Sequence, residues 1–238
     1  MAVPSRDRTD AALSRRLGRA AARAALAATV LLAGCASGEP PADWALSAHG
    51  ALRNFESAAL RGDARIAQAE LARARAELAR TGRPELLARA ELLACAVRVA
   101  SLEFDDCPAF QPLARDADAA GRNYAAYLAG RFDEVETALL PPAHRAVVAA
   151  RGGGGAFLAD IDAPLSRLVA AGVLMRTGRI APADVSAAIQ TASAQGWRKP
   201  LLAWLGVQER RALAAGERDA AARIRLRIDI ILEAGKPR

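Results

Sequence analysis

Apolar positions recur at helical spacing through almost all of the chain beyond residue 43. Ala45, Ala48, Leu52, Phe55 and Ala59 fall three or four apart, on one face of a helix. Gly62 stops that helix and Asp63 can cap the next, where Ala67, Leu71, Ala74 and Leu78 form a stripe opposite Arg73, Glu77 and Arg80. Gly82 and Pro84 punctuate again. The third helix, over 84–103, carries two apolar stripes: Leu86, Ala90, Leu93 and Val97, then Leu92, Cys95, Val99 and Leu102. A helix apolar on two sides is buried on two sides, so this one is expected at the centre of the N-terminal half.

A further helix is predicted over 112–129, holding Tyr124 and Tyr127, and a short one over 132–140, stopped by Pro141-Pro142. One or two helical turns follow over 143–150. Gly152 to Gly155 form an unbroken glycine run inside a connector over 151–160. No Lys-Ser or Lys-Thr follows it, so it is not a phosphate-binding loop. The C-terminal half, 161–238, restarts with Asp162 and Pro164, and Leu165, Leu168, Gly172 and Met175 form the first face. Pro182 and Asp184 open the next helix, Pro200 the one with Leu201, Trp204 and Leu205, and Ala221, Ile224, Ile228 and Ile231 mark the last. Arg223 to Ile230 also alternates charged and aliphatic residues as a strand would, but its flanking alanines and Gly235 favour helix.

The pattern therefore predicts an all-α chain of antiparallel helical hairpins, either an α-solenoid or an irregular bundle. After Gly62, the positions +5, +9 and +12 hold Ala67, Leu71 and Ala74, and Phe132, Val135 and Leu139 follow Gly130. This arrangement resembles tetratricopeptide-like repeats, and Gly62 to Gly130 is 68 residues, two repeats of 34. Pro142 and Arg225 depart from the pattern, and the later glycine spacings of 48 and 38 break the register.

The first 34 residues differ from the rest. Arg6, Arg8, Arg15, Arg16, Arg19 and Arg23 precede a short apolar run, Ala24 to Leu32, which reads as a secretory signal. Nine residues make a helix of roughly 14 Å, short of a bilayer core of about 30 Å. Leu32-Ala33-Gly34-Cys35 follows and resembles the lipobox of bacterial lipoproteins. The resemblance implies cleavage between Gly34 and Cys35, acylation of Cys35, and attachment to a membrane through that lipid. Ala36 after the cysteine implies the periplasmic face of the outer membrane of a Gram-negative bacterium. Residues 35–42 then form a lipidated tether.

With Cys35 assigned to lipid, Cys95 and Cys107 remain, and an exported chain favours a disulfide between them. Asp105-Asp106 and Pro108 supply turn chemistry for the reversal. A metal site is not expected, since His49 and His144 have no cysteine or second histidine beside them.

Composition sharpens this reading. Of 238 residues 62 are alanine, and the basic residues are 31 Arg against Lys199 and Lys236 alone, which favours helix. The formal charge of +7 invites a nucleic-acid partner, yet residues 1–34 contribute six arginines and two aspartates, a net +4. The remainder carries +3, and an exported chain does not meet nucleic acid. Pairs such as Glu77–Arg80, Glu85–Arg89 and Asp219–Arg223 describe self-compensating helix surfaces, whereas Arg218, Arg223, Arg225 and Arg227 are less compensated.

No catalytic constellation emerges. Glu56-Ser57 is similar to the catalytic glutamate of lytic transglycosylases, but that family's downstream Gly-Leu-Met-Gln-like stretch is absent, and there is no Gly-x-Ser-x-Gly elbow. The expectation is a lipid-anchored, non-catalytic interaction or scaffold module of the cell envelope, without cofactor, whose partner is another envelope protein or a peptide. Tyr124, Tyr127, Trp197, Trp204, Arg223 and Arg227 are the candidate contact residues, although the aromatic positions also suit a core. The alternative is a periplasmic small-molecule or peptide-binding lipoprotein with a pocket between the two halves. An envelope hydrolase with scattered residues is a third reading.

Overall fold

The structure is a computed structural model that describes residues 42–149 and 156–235. The signal, the lipobox with Gly34 and Cys35, and Gly152–Gly155 lie outside the described residues. Among those described, every regular element is helical: α1 (Asp43–Arg61), α2 (Ala64–Ala79), α3 (Pro84–Ala100), α4 (Ala119–Leu128), α5 (Pro142–Ala149), α6 (Ala156–Ala159), α7 (Pro164–Arg176), α8 (Pro182–Ala194), α9 (Arg198–Ala214) and α10 (Arg218–Ala234). None of these helices is long and apolar enough to cross a membrane. Residues 43–235 belong to one compact unit, so the two halves read from the sequence pack together.

Local signals place most helix ends. Gly62 adopts φ +87°, and the next amide, Asp63, donates back to the carbonyl of Ala58, closing α1 in a left-handed cap. Four other glycine turns, at 130, 178, 196 and 216, share this geometry. The third helix is an exception. It ends at Ala100 rather than 103, and its left-handed residue is Leu102, φ 60°. The indole N–H of buried Trp204 donates to the terminal carbonyl of Ala100 at 3.1 Å.

Two expected helices are shorter or absent. In place of a helix over 112–129, a single 3₁₀ turn at Gln111–Leu113 precedes α4. The carboxylate of Asp118 accepts the Gly121 amide at 2.7 Å and so sets the start of α4. The segment over 132–140 holds two 3₁₀ turns, Phe132–Glu134 and Thr137–Leu139. Buried Asn123 is the cause: its amide donates to the Glu136 carbonyl at 3.0 Å and its oxygen accepts the Glu136 N–H at 2.7 Å. Both backbone groups of Glu136 are thereby withdrawn from a helix ladder.

The centre of the fold is the crossing of α3 and α7. Gly172 makes it close, because a Cβ there would overlap the Val99 carbonyl oxygen. Around this crossing α4, α5 and α6 pack on α7, while α8, α9 and α10 stack as successive hairpins. α9 also meets α1, so the first helix contacts one far along the chain. A strict solenoid, in which each repeat touches only its neighbours, has no such contact. The main core runs from Leu92 and Val99 through Tyr127, Leu168 and Leu174 to Trp204 and Ile228.

Candidate functional site

Two concave features dominate the surface. The first is a furrow of about 650 Å³ where α1, α2 and α3 meet α9 and the end of α10. Its floor is made by Phe55, Ala67, Ala94 and Val97, all nearly buried, and half-exposed Leu232 forms one shoulder. The rim is cationic. Arg98 is engaged by Asp105 at 2.8 and 3.2 Å, and Lys199 by Glu103 at 2.8 Å. Arg198 has no ion pair or hydrogen bond among the described residues. Its guanidinium passes over Gly62 and Gly235, at the C-terminal, electronegative ends of α1 and α10. A side chain at 235 would overlap it.

The second feature is a slot of about 620 Å³ between α3, α4, the 138–145 segment and α7. It lies between the N- and C-terminal halves. Leu92, Ala96, Leu140 and Val169 line it while remaining 1–4% exposed. Tyr124, Arg89, Asp118, Arg145 and Ser166 supply the polar groups. Both volumes fall in the range of about 300–1,000 Å³ typical of ligand sites.

The aromatic candidates divide by burial. Tyr127 and Trp204 are fully buried and offer nothing to a partner; they are core. Tyr127 shares a hydrogen bond of 3.1 Å with Nδ1 of buried His144. Burial holds the His144 imidazole down at about 4 and pushes the Tyr127 phenol well up. Tyr124 stacks on Tyr127 with ring centroids 5.9 Å apart and faces the slot as part of its wall. Its phenol is also raised by burial. Trp197 is partly buried against the core. Arg223 and Arg227 are exposed on α10 beside Leu226 and Ile230, each about 60% exposed.

Cys95 and Cys107 are bonded, with Cα atoms 5.4 Å apart and both residues buried. Asp105 organises the loop between them by accepting from Arg98 and from the Cys107 amide at 3.0 Å. Arg176 clamps the same loop, donating to the Asp105 carbonyl at 2.7 Å and to the Asp106 carboxylate at 2.8 Å. Among the described residues, Cys95, Asp105 and Cys107 are the one group spaced for a metal ion, and both sulfurs are committed to each other.

Several charge pairings differ from those read along single helices. Glu77–Arg80 forms at 3.2 Å, but Glu85 pairs with Arg83, and Arg89 reaches across to Asp118. Asp219–Arg223 does not close. Arg225 is compensated after all, by Glu209 of α9 at 2.8 Å. Glu91 is buried and held by Nε and Nη2 of Arg75, at 2.5 and 2.7 Å. Glu56 lies half-buried on α1, where desolvation raises its carboxyl, and it has no hydrogen-bond partner among the described residues.

Which residues line the slot and the furrow was not legible in the sequence, because each is assembled from helices distant along the chain. The one available signal was Tyr124 beside a run of small residues. Protein-family models, curated proteins and solved structures yield no significant match to this chain.

Proposed function

We propose that this chain is a lipid-anchored, non-catalytic interaction module of the cell envelope. The furrow between the first and last helices carries the reading. It is open, apolar at its floor and shoulder, and rimmed by Arg198, whose charge no carboxylate of the described chain neutralises. That combination fits an apolar segment of another envelope protein bearing an acidic side chain. Attachment rests on Leu32-Ala33-Gly34-Cys35, and a buried disulfide accords with an exported chain.

Crosslinking in intact cells with identification of partners tests the module. One protein is expected on the wild type and lost from both Cys35→Ala and Leu202→Asp, the latter placing a carboxylate in the furrow. Unchanged membrane fractionation of Cys35→Ala, with no lipid label incorporated, would end the anchoring claim. The same crosslinks on Leu202→Asp would end the furrow claim. The slot favours a second reading, a small-molecule-binding lipoprotein.

A further inference from the structure

α5 has a small seat on the rest of the molecule. Of its eight residues only His144 and Val147 are buried, so one of the two side chains that hold it down is ionisable. α7, on which it packs, buries an unbroken run from Leu168 to Leu174.

The segment leading into α5 closes the slot. Ala138, Leu139, Leu140, Pro141 and Arg145 form one of its walls. Arg145 folds back on this same stretch, donating through Nε to the Leu140 carbonyl at 2.9 Å and through Nη2 to the Ala138 carbonyl at 3.1 Å. Those bonds make 138–145 one piece. It is fixed upstream where Asn123 grips both backbone groups of Glu136.

His144 ties this piece to α4. Its Nδ1 shares the 3.1 Å hydrogen bond with the Tyr127 hydroxyl, and its ring lies 4.9 Å from Tyr127 and 5.6 Å from Tyr124. The charged groups around it offer no compensation for a second cation. Arg145 is the next residue, and Arg179 lies over Phe132, which stacks on Tyr127. Arg122 of α4 is bonded to the Ala117 carbonyl. On α7, Arg167 is bonded to Ile161 and Thr191, and Arg176 to Asp105 and Asp106. Glu136 is exposed.

Burial accordingly holds the docked imidazole at about 4. Lifted off the core, the ring meets water and takes a proton below about 6.5. Undocking is then coupled to proton uptake, and its equilibrium constant rises about tenfold for each pH unit lost between those values.

We propose that residues 137–149 form an acid-released lid on the slot, hinged at the Asn123–Glu136 clamp and latched by His144 against Tyr127. Opening is local, because the α3–α7 crossing behind the slot is held by the Gly172–Val99 approach and its own aliphatic side chains. The lid is independent of the furrow, so either can fail alone.

Hydrogen exchange of the full chain at pH 7.0, 6.0 and 5.0, with rates normalised to those of the unstructured peptide, tests this. Protection over 137–149 is expected to fall about tenfold per pH unit below 6.5. It should change little in 1 M urea, and peptides of α3 and α7 should stay better protected at every pH. His144→Gln is expected to remove the pH dependence over 137–149. Where that variant loosens the segment outright, apolar His144→Leu is expected to keep α5 seated and equally insensitive to pH. Three outcomes would overturn the lid: protection over 137–149 independent of pH in the wild type, the same pH dependence in both variants, or protection equal to that of α3 and α7 throughout, which means that the segment opens only by global unfolding.

Discussion

His144 is the residue whose environment most alters its chemistry. The imidazole ordinarily titrates near 6.5, and burial beside Tyr124 and Tyr127 holds it at about 4. Above pH 6.5 the folded and unfolded forms are both neutral, so nothing changes there. Between 6.5 and about 4 the unfolded chain takes up a proton that the folded chain refuses, and stability falls as pH falls. The slope is about 1.4 kcal/mol per pH unit, or roughly 3 kcal/mol over the window. Urea titrations at pH 7.0, 6.0 and 5.0 should show this decline, and His144→Gln, which does not titrate, should flatten it. Equal slopes in the two proteins would contradict the assignment. His144 had read as a lone histidine, since its partner Tyr127 is seventeen residues earlier.

The disulfide belongs to the same scale and was legible, because its loop is short and rich in turn residues. Removing it with Cys95→Ser and Cys107→Ser together should lower stability by about 3 kcal/mol, through the regained freedom of the unfolded loop. Non-reducing mass analysis of the wild type should find one bonded pair. Two free thiols in addition to Cys35 would refute it.

Between elements, the α3–α7 crossing and the α2–α3 ion pair make separate demands. Gly172→Ala places a methyl against the backbone carbonyl of Val99, and backbone cannot swing aside as a side chain can. A loss of about 3 kcal/mol is expected in chemical denaturation, against a gain of about 1 kcal/mol for Gly50→Ala in the middle of α1, where a Cβ meets open space. Arg75→Ala strands the buried Glu91 carboxylate and should cost about 2 kcal/mol, tempered by the 44% exposure of Arg75 itself. The double change to methionine at 75 and 91 should recover most of that loss. Helix ends marked by glycine or proline followed from local chemistry. The segment around Glu136 did not, because Asn123, thirteen residues away, captures its backbone.

Over the whole molecule, contact between α1 and α9 draws the two ends of the helical array together. Repeat arrays with only neighbour contacts unravel in stages, whereas a closed arrangement should unfold as one. Far-UV circular dichroism and tryptophan fluorescence, which reports on partly buried Trp44 and Trp197 and on buried Trp204, should therefore trace coincident urea transitions. Separated midpoints would show that the halves unfold independently.

Helical class, most helix ends and the pairing of Cys95 with Cys107 were all contained in the sequence. Each depends on residues within a turn or two of one another, or on a loop too short to close otherwise. Tertiary structure alone decided which aromatic residues are core, which arginines find carboxylates, and where the furrow and slot open. Periodicity states that a helix has an apolar face, but not which face it will meet. Burial of Trp204 against Ala100, the Gly172–Val99 approach and the slot beside Tyr124 all arise from helices brought together over long stretches of chain.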